Sequence, residues 1–272
     1  MFSLRRVSAI FLRQFYLMQG SPARVLPLFA WVAIDMVTWG FITKYLNAVS
    51  RSGFNFVPSL LGAVLLWDFF TRVMQGVTMT FFEDVWSRNF LNVFATPLSI
   101  SEYLSGLVLS SIATSSVGLV TMLVVVTTVF GLSFFFYGLL LIPYLLVLFL
   151  FGIALGVIAC GIVLRLGPAS EWFIWPIPAL ISPFVGVFYP LSTLPGWMRA
   201  LSRLLPPAYV FESMRSIVLQ QSASRRDLAQ GLATGAALDV VVLFLAGWFF
   251  RSIYQHALRT GLIARYSAES LS

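Results

Sequence analysis

Apolar residues in this chain come in long runs separated by short polar pieces, and the runs set the architecture. About 20 apolar helical residues cross the hydrocarbon core of a bilayer. Six runs meet that length, at residues 25–45, 57–81, 104–130, 137–164, 172–189 and 232–250. The fifth is irregular: Pro176, Pro178 and Pro183 each remove a backbone donor, which predicts a bent or broken segment whose freed carbonyls are covered by neighbours. Ahead of the first run, Leu4, Val7, Phe11, Phe15 and Met18 share one helical face, with Arg6 and Arg13 off it. That is the pattern of an amphipathic helix lying on the membrane surface. The expected fold is all-α and membrane-integral, one domain over residues 1–272 with six transmembrane helices.

Two polar interruptions stand out. In residues 82–103, Val85, Trp86, Asn89, Phe90, Val93 and Phe94 recur at three- and four-residue spacing, which predicts a short helix. Glu83 and Asp84 fall in its expected first turn, where acidic groups suit the helix dipole, and Pro97 ends it. Such a helix, held between two spans, either takes up force from a partner or lies passively among headgroups; the pattern alone leaves both open. Residues 190–231 are too polar to cross and too apolar for a free loop. Trp197, Met198, Leu201, Leu204 and Leu205 fit a lipid-facing side, with Arg199 and Arg203 toward water. Pro206 and Pro207 break the pattern before it resumes at Tyr209, so the segment reads as an outer re-entrant helical hairpin, with an ordinary surface hairpin as the alternative.

Composition excludes a water-soluble fold. The chain is 59% hydrophobic and 10% charged, against about 25% charged in soluble domains. The net charge of +7 comes from arginines at the edges of apolar runs, where they meet anionic headgroups rather than nucleic acid. Arg5, Arg6, Arg13 and Arg24 in one tail, and Arg251, Arg259 and Arg265 in the other, place both termini in the cytoplasm of a multi-pass cell-membrane protein. Lys44, Arg51, Arg199, Arg203, Arg215, Arg225 and Arg226 fall on the other side, so the tails decide the orientation. A single cysteine, Cys160, and a single histidine, His256, exclude a His/Cys metal cluster or a Cys–His catalytic pair. Lys44 is the only lysine and has no glycine-rich phosphate loop before it. No cofactor is expected on this chain, and if ATP drives it, another chain binds the nucleotide.

Charged residues inside spans are costly and hence candidates for function, although structural pairing also explains them. Asp35, Asp68, Arg72 and Asp239 qualify. Counted from the cytoplasmic ends of the first two spans, Asp35 and Arg72 each lie about 15 Å deep, at about 1.5 Å per residue. Asp68 and Arg72 are spaced i, i+4 and share a face. Arg72 is therefore expected to pair with Asp68, and with Asp35 if spans one and two are neighbours. Gly152 and Gly156 allow close helix approach, expected within the chain, and Ser110, Ser111, Thr114 and Ser115 form a polar face on span three.

The run from Asn89 to Tyr103 reads N-F-L-N-x-x-x-T-P-L-S-x-x-E-Y, and Tyr189–Ile217 reads YPLSTLPGWMRALSRLLPPAYVFESMRSI. The first resembles the cytoplasmic loop after span two of type-2 ABC exporter permeases, and the second resembles their signature after span five. Pro206 stands where that family usually has Asn. The resemblance implies the membrane-spanning half of an exporter, paired with a second copy or close paralogue. Each half would be served by a separate cytoplasmic ATPase that holds the ATP and Mg, so this chain itself is no enzyme. It also implies that Glu83, Asp84, Val85, Trp86, Arg88, Asn89, Phe90, Leu91, Phe94, Thr96 and Pro97 couple to that ATPase. The outer segment would use Pro195, Trp197, Pro206, Pro207, Tyr209, Glu212 and Arg215. Cargo in such a family is a glycan, a lipid-linked or amphipathic molecule, or a drug. Two other classes are weighed against this: an ion-coupled secondary transporter using Asp35 or Asp68, and a membrane-embedded lipid-modifying enzyme. The first lacks matching broken helices in its two halves, and the second lacks a base beside a nucleophile.

Overall fold

The computed structural model describes residues 2–50, 57–87, 89–132, 138–218 and 224–261, and is helical almost throughout. The helices are α1 (Leu4–Gln19), α2 (Pro22–Val49), α3 (Gly62–Trp86), α4 (Phe90–Ala95), α5 (Ile100–Phe130), α6 (Leu141–Leu166), α7 (Ile177–Val185), α8 (Gly196–Ser202), α9 (Pro206–Val218) and α10 (Arg225–Thr260). A π-helical turn, Val57–Leu61, leads into α3. Among the described residues, α2, α3 with its leading turn, α5, α6 and α10 are long and apolar enough to cross a membrane.

Close contacts fix how these helices run. Gly152 and Gly156 of α6 lie against Val73 and Val77 of α3, while Val147 and Gly161 of α6 lie against Gly235 and Phe249 of α10. Both pairs advance in the same direction, so α3, α6 and α10 are parallel. Tyr103 meets Asp84 while Gly118 meets Arg72, so α5 runs antiparallel to α3. Arg24 meets Glu83 and Asp35 meets Arg72, so α2 also runs antiparallel to α3. The centre is α3 and α6, both mostly buried, with α2 and α5 on one side and α10 on the other. Small residues permit this. A Cβ on Gly156 would come within 2.8 Å of the Val77 Cβ and 3.0 Å of the Met74 carbonyl, so the G-x-x-x-G pair packs within the chain.

The helices differ from the apolar runs at four places. First, residues 172–189 are not one transmembrane helix but a broken segment, as their three prolines predict. A 3-10 turn, Pro168–Phe173, is followed by the nine-residue α7, which ends at Gly186 in the left-handed region. The chain still climbs along the stack here: Trp86 donates to Glu171 at the α4 end, and Phe188 stacks on Trp39, well along α2. Prolines break the helix and neighbouring helices enclose what is left, as at Ile174 and Pro178.

Second, α3 runs unbroken through Trp86, so Glu83 and Asp84 close it rather than open the short helix. No Gly or Pro lies between Gly76 and Trp86, and Asp84 is stabilised in the interior by partners. Third, α1 does not lie free on a surface. It buries Val7, Ile10 and Gln14, with Ile10 seated on Gly106 of α5, while Leu4 and Phe15 stay exposed. Arg6 and Arg13, off the apolar face, reach inward to Glu102 and Asp84. Fourth, the last helix begins at Arg225, well before residue 232, because Ser224 and Asp227 form a capping box.

Candidate functional site

The corner between α3 and α4 is built on buried charge. Asp84 is fully buried, accepts a 2.7 Å hydrogen bond from the Tyr103 hydroxyl and pairs with Arg13 of α1. A buried carboxylate is tolerated only when paired and hydrogen-bonded in this way. Next to Tyr103 in the first turn of α5, Glu102 closes the capping box with Ser99 and accepts from the Ser3 backbone N–H at 2.6 Å and from Arg6. These bonds tie α1, the end of α3 and the start of α5 into one block. From that block hangs α4, six residues long. Its Val93 is buried, Thr96 bonds back to the Val93 carbonyl at 2.6 Å, and Asn92 donates to Asn89 at 3.1 Å. Val85 is half-buried, Trp86 is 51% exposed and Pro97 is exposed. Arg88 and the side chains of Phe90, Leu91 and Phe94 lie outside the described residues. Between α1 and α4 opens a cavity of about 440 Å³ lined by Arg13, Asn92 and Pro97.

Deeper in the stack, Arg72 Nε lies 2.7 Å from Asp68 Oδ2, with a second contact of 3.4 Å. Its Nη2 lies 3.9 Å from Asp35 Oδ2 across on α2. The structure thus brings all three residues together. Asp239 is elsewhere, buried on α10 with neither carboxyl oxygen hydrogen-bonded among the described residues. A second rung joins the same two helices nearer the α4 end, where Arg24 lies 3.6 Å from Glu83. On both helices the rungs are eleven positions apart, about 16 Å. The space beside them is a cavity of about 820 Å³, walled by α1, α2, α3, α5 and Trp175. That is near the upper size of small-molecule sites. Thr114 and Ser115 reach it from α5, while Ser111 spends its hydroxyl on the Val73 carbonyl at 2.7 Å.

At the far end, α8 and α9 form a helical pair. Pro195 caps α8, and Pro206 and Pro207 occupy the first turn of α9, where a missing N–H costs nothing. Arg215 donates to Glu212 at 2.8 Å and to the Gly186 carbonyl, fastening α9 to the end of α7. Burial pulls the Arg215 guanidinium below its ordinary pKa, and Glu212 opposes this. Glu212 also accepts from the Leu191 N–H at 3.4 Å, and the Tyr209 hydroxyl donates to the Arg203 carbonyl. Trp197, Leu201 and Leu204 are exposed together, whereas Arg199 folds back onto the Ser192 and Leu194 carbonyls instead of facing water.

Sequence reasoning missed Arg13, Arg24, Tyr103, Gln14, Trp31 and Trp175. The pairing of Ser99 with Glu102 was available as a capping-box pattern. The ion pairs of α1 span 71 and 96 positions, and no local pattern announces them.

Comparison with curated proteins finds no match. A family model for ABC-2 type transporters matches residues 6–219, a stretch that takes in the α3–α4 corner and the α8–α9 pair. With most of its length matched, the chain belongs to the ABC-2 type transporter family.

Proposed function

We propose that this chain is the membrane-spanning permease subunit of an ATP-driven exporter. It works as a dimer with a second copy or close paralogue, and two separate cytoplasmic ATPase subunits supply ATP and Mg. The chain crosses the cell membrane six times, with the broken stretch from Pro168 to Phe188 as the fifth crossing. Both termini and α4 face the cytoplasm, and α8–α9 dip into the outer leaflet. Cargo is a glycan, a lipid-linked or other amphipathic molecule, or a drug.

One observation carries this reading beyond family membership: the short helix α4 is mounted on a locked corner. Asp84, Arg13 and Tyr103 bind the last turn of α3 to α1 and α5. A push on α4 would therefore move α3, and with it one wall of the 820 Å³ cavity, instead of being lost in a soft loop. The test is co-expression of the permease with its ATPase and purification of the complex. Truncating an aromatic hot spot in a desolvated interface costs about 2 kcal/mol or more. Alanine at Trp86, Phe90 and Phe94 together is expected to release the ATPase or uncouple hydrolysis from transport. Unchanged assembly together with unchanged transport-stimulated hydrolysis removes α4 from the mechanism.

A further inference from the structure

The 820 Å³ cavity has a chemistry of its own. Its charged lining is Asp35, Asp68 and Glu83 against Arg24 and Arg72, an excess of one carboxylate. The pairing within it is uneven. Arg72 is taken up by Asp68 at 2.7 Å, which leaves Asp35 at 3.9 Å with 49% of its side chain exposed. At the other rung Glu83 Oε1 lies 3.6 Å from Arg24, while Glu83 Oε2 is buried without a hydrogen-bond partner among the described residues. Two carboxylates on the wall thus hold unused acceptor capacity.

Gln14 supplies an independent sign that something is missing. It is 2% exposed, lines the same cavity, and its Nε2 has no hydrogen-bond partner among the described residues. An unpaired buried amide is costly enough that native structures seldom keep one without water or a ligand. Aromatic rings complete the wall. Trp31 lies one helical turn from Asp35 on α2, and Trp86 and Trp175 line the α4 end. A carboxylate beside an indole face recognises an organic cation: the carboxylate takes the N–H or the charge, and the ring quadrupole attracts the rest. An anionic amphiphile would meet a wall of the same sign.

We infer that this cavity binds an amphipathic cation, an apolar body bearing a protonated or quaternary amine. Its charge lies against Asp35 and Trp31, and a hydroxyl or carbonyl on the same molecule accepts from Gln14. This rests on the exporter reading above and names the cargo class for it. Arg72 keeps Asp68 as its partner throughout, so Asp35 is free to exchange Arg72 for the cation without stranding a buried charge.

The full chain, purified in lipid nanodiscs without any ATPase, is titrated with the cationic dye rhodamine 6G and, separately, with the anionic dye 8-anilinonaphthalene sulfonate. Fluorescence anisotropy is read against empty nanodiscs. Saturable binding of rhodamine 6G is expected, weakened roughly tenfold by Asp35→Asn, as suits the loss of one charged contact. Asp35→Glu should restore it, and Trp31→Ala should weaken it. Asp35→Asn is isosteric and leaves the Arg72–Asp68 pair intact, and an unchanged melting temperature verifies its fold. Rhodamine binding no greater than that of empty nanodiscs overturns the inference. So does equal binding by wild type and Asp35→Asn, or a preference for the anionic dye. Because the assay contains no ATPase, its failure removes the cation assignment alone, whereas failed assembly with an ATPase removes the exporter reading.

Discussion

At the scale of single residues, the group that most constrains this protein is Arg72. Its side chain is only 15% exposed, and a charge at this depth costs about 2.5–3.5 kcal/mol on insertion scales unless it is paired. Asp68 gives it two contacts and Asp35 a third at 3.9 Å. The three positions do not contribute equally. Losing Arg72 strands Asp68 beside Asp35, two like charges with no cation between them. Losing Asp68 leaves Arg72 within reach of Asp35. Arg72→Ala should therefore destabilise the permease by about 2.5–3.5 kcal/mol, and Asp68→Ala by clearly less. The double mutant should recover part of the Arg72→Ala loss, since breaking a buried pair on one side costs more than removing both members. Thermal unfolding in detergent reads this directly. Additive losses, with the double mutant worst, would mean that the pair does not hold the charge. This triad was legible in the sequence because an i, i+4 spacing and a nearly equal count from two span ends are local facts. The Arg13–Asp84 pair was not legible, because only the folded α1 brings residues 71 apart together.

At the scale of elements, apolar length announced the helices, and buried charge and proline decided their ends. The polar pair Glu83–Asp84 reads as a break in hydrophobicity, yet α3 continues through it because Arg13, Arg24 and Tyr103 neutralise or bond those carboxylates. Conversely, residues 172–189 read as apolar enough to span, yet three prolines leave only the nine-residue α7 as α-helix. Packing between elements follows small residues in the same way. Gly156 faces α3 so closely that an added Cβ meets the Val77 Cβ at 2.8 Å and the Met74 carbonyl at 3.0 Å. Backbone does not yield as a side-chain tip would. Gly156→Ala should cost about 1–3 kcal/mol by overpacking. Gly247 of α10 has nothing within 4 Å of an added Cβ, so Gly247→Ala should be neutral or slightly stabilising through helix propensity. Melting temperatures of the two variants compare a crowded helix face with an open one. Equal effects would show that the α3–α6 contact is not as tight as the geometry requires.

At the scale of the whole molecule, the parallel course of α6 and α10 constrains the path more than any count of apolar runs. Two parallel helices joined by residues 167–224 require the intervening chain to return the full thickness of the stack. Glu171 is level with Trp86, at the α4 end, and Phe188 is level with Trp39, more than half way along α2. On α2, Arg24 pairs with Glu83 at the α4 end and Trp39 lies fifteen residues further on, about 22 Å along the helix axis at about 1.5 Å per residue. The seventeen residues from Glu171 to Phe188 cover that height even with α-helix only over Ile177–Val185. If the membrane lies across the stack, Asn92 on α4 and Ser192 before α8 face opposite compartments, and both are exposed. The native thiol does not interfere, because Cys160 is buried against α3. A cysteine at Asn92 should react with a membrane-impermeant maleimide only from the cytoplasmic side, and one at Ser192 only from outside. Thr260→Cys should follow Asn92→Cys, and Ser224→Cys should follow Ser192→Cys, since α10 runs parallel to α3 from one end to the other. Labelling of positions 92 and 192 from the same side would mean that the broken segment does not cross, and the six-crossing path would have to be abandoned.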